Sequence, residues 1–211
     1  AHVAHTEAAT PDLRDGPSDF YHGLLVALLD ADEYLADSFR LARKIWDDGC
    51  RPDFMIALWR GGAPPGIAIQ EYFRWKGHDF YHTAIRTQSL EGIVQGGGYD
   101  IRGLEHVIDN VDADHSLLVV DNFFETGRTV FEVVDHIRRG ARRNTPRIQV
   151  ATVYLRPGRR CHEVRPDYWL HEVEQVPVFP HELRVMDPER IRRSDADLYE
   201  AIWGEPGEVT P

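Results

Sequence analysis

Leu117-Leu118-Val119-Val120-Asp121-Asn122-Phe123-Phe124-Glu125-Thr126-Gly127-Arg128-Thr129 is the stretch on which the fold turns. Residues 117–120 are a short continuous apolar run, the pattern of a strand buried on both faces. A polar turn spans 121–127, and beyond it Val130, Val134 and Ile137 draw one face of a helix that Gly140 ends. The same syntax stands earlier in the chain. Phe54-Met55-Ile56-Ala57-Leu58-Trp59 reads as a buried strand, Arg60-Gly61-Gly62 as a tight turn, and Pro64-Pro65 opens a helix through Ile67, Ile69 and Tyr72 to Gly77. A further strand is expected over 148–155. Strands alternating with helices imply an α/β fold, a doubly wound and mostly parallel sheet whose ligands bind beyond the carboxyl ends of the strands.

Working outward, Leu35, Phe39, Ala42 and Trp46 form a helical stripe that stops at Gly49. Residues 1–18 carry Thr10-Pro11 and Gly16-Pro17 without periodicity and read as a flexible lead-in. Residues 19–155 are expected to form the core. Within it, 86–104 holds Gly96-Gly97-Gly98 and is too long for a plain connector, so a flexible lid loop is expected there, with a merely disordered β-excursion as the plain alternative. Residues 156–211 read as a small C-terminal hood, with β-like pieces at 168–170 and 176–179, and an amphipathic helix over 191–203.

The 211 residues carry 24 basic and 35 acidic side chains, a formal charge of −11, which argues against nucleic acid as a partner. No apolar run approaches the roughly 18 residues of a membrane span, so no membrane partner is expected. Cys50 and Cys161 make no CxxC pair and no secretory leader is written at the start, which points to a reduced, cytoplasmic setting. The pairs His162-Glu163, His171-Glu172 and His181-Glu182 lack HExxH spacing and read as solvated or capping residues.

The chemistry concentrates where strand 117–120 meets its turn. A helix start with a glycine and hydroxyls bares backbone N–H groups and the positive end of the dipole, a setting for phosphate. GxxxxGK[ST] and GxGxxG are both absent, which sets aside nucleoside triphosphatases and dinucleotide dehydrogenases. An N-cap role alone is the plain alternative. The full string, hydrophobic strand, Asp121-Asn122, Phe123-Phe124, Glu125 and Thr126-Gly127, resembles the phosphoribosyl diphosphate (PRPP) signature of the type I phosphoribosyltransferases. Residues 57–66, with Arg60-Gly61-Gly62, resemble the diphosphate loop of that family. Arg156-Pro157 after the 148–155 strand, and the segment from Val176 to Phe179, look like the hood of its hypoxanthine, guanine and xanthine (6-oxopurine) members.

The resemblance implies the type I phosphoribosyltransferase fold and a glycosyltransferase activity. A phosphoribosyl group would pass to a ring nitrogen of a heterocyclic base, a 6-oxopurine for salvage, and diphosphate would leave. It implies that Arg60, Gly61 and Gly62 hold diphosphate, that Asp121 and Asn122 meet the ribose hydroxyls, and that Thr126, Gly127, Arg128 and Thr129 cradle the 5-phosphate. Glu125 is the general base candidate and, with Arg60, the expected catalytic group. Arg156, Val176 and Phe179 are expected at the base, with Tyr168 or Trp169 as other stacking candidates. Mg2+ is the implied cofactor, held mainly by substrate oxygens and water, with Asp121 indirect. A homo-oligomer, dimer or tetramer, is implied as well.

Four positions depart from the family pattern. Asn122 stands where a second acid is usual, Glu125 where Asp is usual, Arg156 where Lys is usual, and Val176 where an aromatic is usual. All four lie at the ribose or base subsites. Two other readings therefore stay open: the same reaction on an unusual acceptor outside salvage, and a noncatalytic PRPP-binding regulator.

Overall fold

The computed structural model describes residues 28–89, 98–158, 164–183 and 186–204. Two compact units divide the chain, one of residues 31–176 and one of residues 1–30 with 177–211.

The larger unit contains helix α1 (Ala31–Asp47), strand β1 (Phe54–Trp59), α2 (Ala63–Trp75), β2 (Tyr81–Ser89), β3 (Tyr99–Arg102), α3 (Glu105–Asn110), β4 (Ser116–Phe124), α4 (Arg128–Ala141), β5 (Arg147–Leu155) and β6 (Tyr168–Glu172). Six strands form one sheet in the order β3-β2-β1-β4-β5-β6. All neighbours are parallel except β2 and β3, which form an antiparallel pair from Arg86↔Arg102 to Ser89↔Tyr99. The apolar runs of β1 and β4 sit side by side in register, Phe54↔Leu117 to Ala57↔Val120. Both are buried from end to end across that register because helices cover both faces of a parallel sheet. Ile56, Leu58, Val119, Val133, Val134, Ile137 and Val150 lie in one hydrophobic cluster at the centre.

The doubly wound, mostly parallel sheet expected from the sequence is therefore present. Three local expectations differ. On α1 the buried face runs through Tyr34, Asp37, Ser38, Leu41, Ala42 and Ile45, whereas Leu35 is 50% and Phe39 39% exposed. The face is turned by about one residue because two polar side chains face inward, and Asp37 finds partners there. Its carboxylate accepts from Tyr154 Oη at 3.0 Å, and His171 Nε2 stands 2.8 Å away. Second, residues 168–170, expected in the hood, belong to β6, which pairs with β5 from Ala151↔Tyr168 to Leu155↔Glu172 and extends the core sheet. Third, both ends of the expected lid are strand, β2 through Ser89 and β3 from Tyr99. Its centre, residues 90–97, lies outside the described residues, as does the lead-in 1–18.

In the smaller unit Leu28 bridges Val178 in parallel, and Leu29 N–H donates to Val178 O at 2.9 Å. The expected C-terminal helix is two short ones, α5 (Pro188–Ser194) and α6 (Ala196–Trp203). Asp195 separates them because its extended backbone (φ −149°, ψ 91°) caps α6, its side chain accepting from Leu198 N–H at 2.8 Å. Among the described residues no helix is long and apolar enough to cross a membrane.

Candidate active site

Strand order reverses between β1 and β4: the chain winds outward to β2 and β3 on one side and to β5 and β6 on the other. That reversal opens a crevice at the carboxyl ends of β1 and β4, the place where doubly wound sheets bind ligands. Two turns flank it, 60–62 after β1 and 125–127 after β4.

The first turn lies directly against β4. A Cβ on Gly62 would meet Val120 O at 2.2 Å and Leu58 N at 2.7 Å, and a Cβ on Gly61 would meet Asn122 Oδ1 at 2.0 Å. Close approach, rather than backbone conformation, thus calls for glycine at both positions. Gly62 N–H donates to Leu58 O at 2.8 Å and Ala63 N–H to Arg60 O at 3.1 Å, which fold the turn back into α2. The Trp59–Arg60 peptide is cis, and Arg60 is exposed. From α1, Tyr34 Oη reaches the Gly61 carbonyl at 3.4 Å.

At the end of β4, Asp121 and Asn122 point to opposite faces, as strand neighbours must. Asn122 is buried against Gly61. Burial pushes the Asp121 carboxyl up to about 7, while the Asn122 N–H, 2.9 Å from Oδ1, pulls the other way. Near neutrality this acid is poised between its two forms.

The second turn starts α4. Gly127 takes φ +76°, and a Cβ there would meet Phe124 Cζ at 2.7 Å, so both conformation and space call for glycine. Thr126 Oγ1 accepts from Arg128 N–H at 3.3 Å, and Phe131 N–H to Gly127 O at 2.8 Å closes the first helical turn. Thr126, Gly127, Arg128 and Thr129 therefore rim one helix N-terminus, a setting for an anion.

Glu125 and Arg156, separated by 31 positions, are brought together. Arg156 Nη1 donates to Glu125 Oε1 at 2.9 Å, each side chain about a quarter exposed. The β4–β5 register places them, since Phe124 opposes Leu155 and Arg156 N–H donates to Phe124 O at 2.9 Å. The longer carboxylate and the guanidinium fork thus meet each other, a link that spacing alone does not reveal.

The remaining base candidates are distributed differently. Val176 is partly buried at the end of the larger unit. Phe179 belongs to the smaller unit, where it is buried, its ring 5.6 Å from that of His181. Tyr168 is buried and committed elsewhere, donating to Asp48 Oδ2 at 2.9 Å, and the Trp169 ring carries the Lys44 ammonium 5.3 Å from its centre. Sequence reading missed Tyr34 and Tyr99. Tyr99 Oη accepts from Thr129 Oγ1 at 3.4 Å, and the Arg128 guanidinium lies 5.7 Å from its ring centre. The available signal for Tyr99 was an aromatic residue directly after three glycines; Tyr34 had none beyond its place beside the expected stripe.

The fold has solved counterparts. A purine phosphoribosyltransferase from Pyrococcus horikoshii Ot3 matches with a TM-score of 0.59 at 22% identity, over 74% of this chain and 92% of that one. A hypothetical protein from Neisseria gonorrhoeae with bound ppGpp matches with a TM-score of 0.61 at 17% identity, over 80% and 96%. The Helicobacter pylori xanthine-guanine-hypoxanthine phosphoribosyltransferase gives 0.53 at 14%, over 72% and 90%. The chain therefore has the fold of the type I phosphoribosyltransferases. No family model matches the sequence, and no curated protein matches it significantly.

Proposed function

We propose that the chain is a phosphoribosyltransferase that moves 5-phosphoribosyl from PRPP to a ring nitrogen of a heterocyclic base, a 6-oxopurine, and releases diphosphate. The observation that carries this reading is the contact of Gly61 with Asn122. It packs the diphosphate-type loop and the PRPP-type strand end against each other at the crevice where β1 and β4 diverge.

In this reading the bond between the anomeric carbon and the diphosphate oxygen breaks as the bond to the acceptor nitrogen forms. Arg60 and the backbone of the Gly61-Gly62 turn take the charge of the departing diphosphate. Asp121 and Asn122 hold the ribose hydroxyls, and the ionised form of Asp121 stabilises positive charge on the sugar. The helix start from Thr126 to Thr129 anchors the 5-phosphate. Glu125 receives or orients the acceptor's proton, and Arg156 donates to its exocyclic oxygen.

Mg2+ fits the donor set as an ion held mainly by the substrate. Asp121 is the nearby carboxylate, its partner position is the uncharged Asn122, and among the described residues no three acidic, histidine or cysteine side chains are grouped around a metal. When bound, the ion would neutralise diphosphate charge. A cytoplasmic setting and a homo-oligomer belong to the same reading.

The Glu125–Arg156 pair favours one second reading, the same transfer to an acceptor outside purine salvage, because both groups that would meet the base are already engaged with each other. Diphosphate release with Mg2+ and PRPP, run against hypoxanthine, guanine, xanthine, adenine and nonpurine heterocycles, separates the two. Turnover with an oxopurine, lost in Arg60→Ala and Glu125→Ala, is the expected result. PRPP binding by calorimetry without release on any acceptor would overturn the transferase reading in favour of a binding protein.

A further inference from the structure

Tyr99 lies outside every motif that led to the active-site reading, yet it stands at the rim of the α4 N-terminus. It is the first residue of β3, held in register opposite Ser89 of β2, and Ile101 two positions on packs against the central hydrophobic cluster. The tyrosine is thus mounted on the core sheet.

Its surroundings are specific. Thr129 Oγ1 donates to Tyr99 Oη at 3.4 Å, so the phenolic oxygen serves as acceptor. A tyrosine hydroxyl has one proton of its own to donate, and among the described residues no acceptor takes it. The Arg128 guanidinium lies over the same ring, 5.7 Å from its centre, and Tyr99 is partly rather than fully buried. A tyrosine hydroxyl with a proton left to donate therefore stands at Thr129, in the first turn of a helix of 14 residues, with the Arg128 guanidinium over its ring.

We propose that Tyr99 is a ligand of the sugar 5-phosphate, its hydroxyl donating to a phosphate oxygen while Thr129 holds it in place. This rests on the phosphoribosyltransferase reading of the site and adds to it a contact from the β2–β3 pair. Occupation of the 5-phosphate subsite then ties β3 to α4 through substrate as well as through Thr129.

Two ligands divide the site cleanly. Ribose 5-phosphate uses the 5-phosphate subsite, whereas inorganic diphosphate uses the Arg60 turn. Titration calorimetry of the full chain and of Tyr99→Phe, which removes only the hydroxyl, should show ribose 5-phosphate binding weakened roughly tenfold, the worth of one hydrogen bond to a charged group. Diphosphate affinity should stay unchanged, whereas a purely structural role for the hydroxyl would weaken both ligands together. Equal ribose 5-phosphate affinity in the two proteins overturns the role of Tyr99 and leaves the transferase reading standing. Failure of the unsubstituted protein to bind ribose 5-phosphate overturns both.

Discussion

Replacing Gly61 by alanine tests whether the contact between the two turns is what organises the site. The backbone of Gly61 does not occupy the left-handed region, so alanine adopts its conformation without torsional penalty, and the effect must come from space. The new Cβ would stand 2.0 Å from Asn122 Oδ1, 2.4 Å from Cγ and 2.8 Å from Nδ2, all atoms of one side chain. Overpacking of this kind costs about 1–3 kcal/mol. In an Asn122→Ala background those three atoms are gone, and the same substitution should cost less than about 0.5 kcal/mol, a coupling of about 1–3 kcal/mol between the positions. Gly62→Ala is the control, because its Cβ would meet Val120 O at 2.2 Å and Leu58 O at 2.9 Å, backbone atoms that Asn122→Ala does not move. Urea unfolding of the four proteins in the Gly61/Asn122 cycle, with calorimetry of diphosphate binding alongside, measures both stability and the turn's competence. An equal loss for Gly61→Ala in the two backgrounds would refute the reasoning, as would rescue of Gly62→Ala by Asn122→Ala.

Two further outcomes follow from the site. Asp121 is raised in the folded chain to about 7 from an ordinary 3.8, so folding favours its protonated form. Its contribution to stability is greatest below pH 4 and is lost as pH rises through 7. Asp121→Asn should remove that dependence, and urea midpoints of the two proteins measured from pH 4 to 8 should diverge along this slope; parallel curves would show that the carboxyl is not perturbed. The Glu125–Arg156 pair, 2.9 Å apart and about a quarter exposed on each side, should show a coupling of about 1–2 kcal/mol in a cycle of Glu125→Gln and Arg156→Gln. Additive losses of stability would mean that the two side chains act separately.

The doubly wound core was legible in local pattern. Continuous apolar runs at 54–59 and 117–120, each followed by a polar turn and a 3.6-residue periodicity, predict buried parallel strands with covering helices, and these are β1–α2 and β4–α4. The turn residues were legible as well, since Arg60-Gly61-Gly62 and Thr126-Gly127 announce tight turns and helix starts in any context. Hydrophobic counting failed on α1. There the inward face includes Asp37 and Ser38, and no reading of residues 31–47 alone can know that Tyr154 and His171 will satisfy the carboxylate. The same limit placed 168–170 in a hood, because an edge strand of five residues carries little pattern of its own.

What the sequence determined, then, was the chemistry at each turn and the periodicity of each element, both short-range properties of the chain. Only the tertiary structure decided which turns share a crevice, because strand order and register bring together residues tens of positions apart. Asn122 against Gly61, Arg156 on Glu125 and Tyr99 at Thr129 are all of that kind. Each depends on packing between elements, where the energy of a contact is set by its partner and not by its neighbours in sequence.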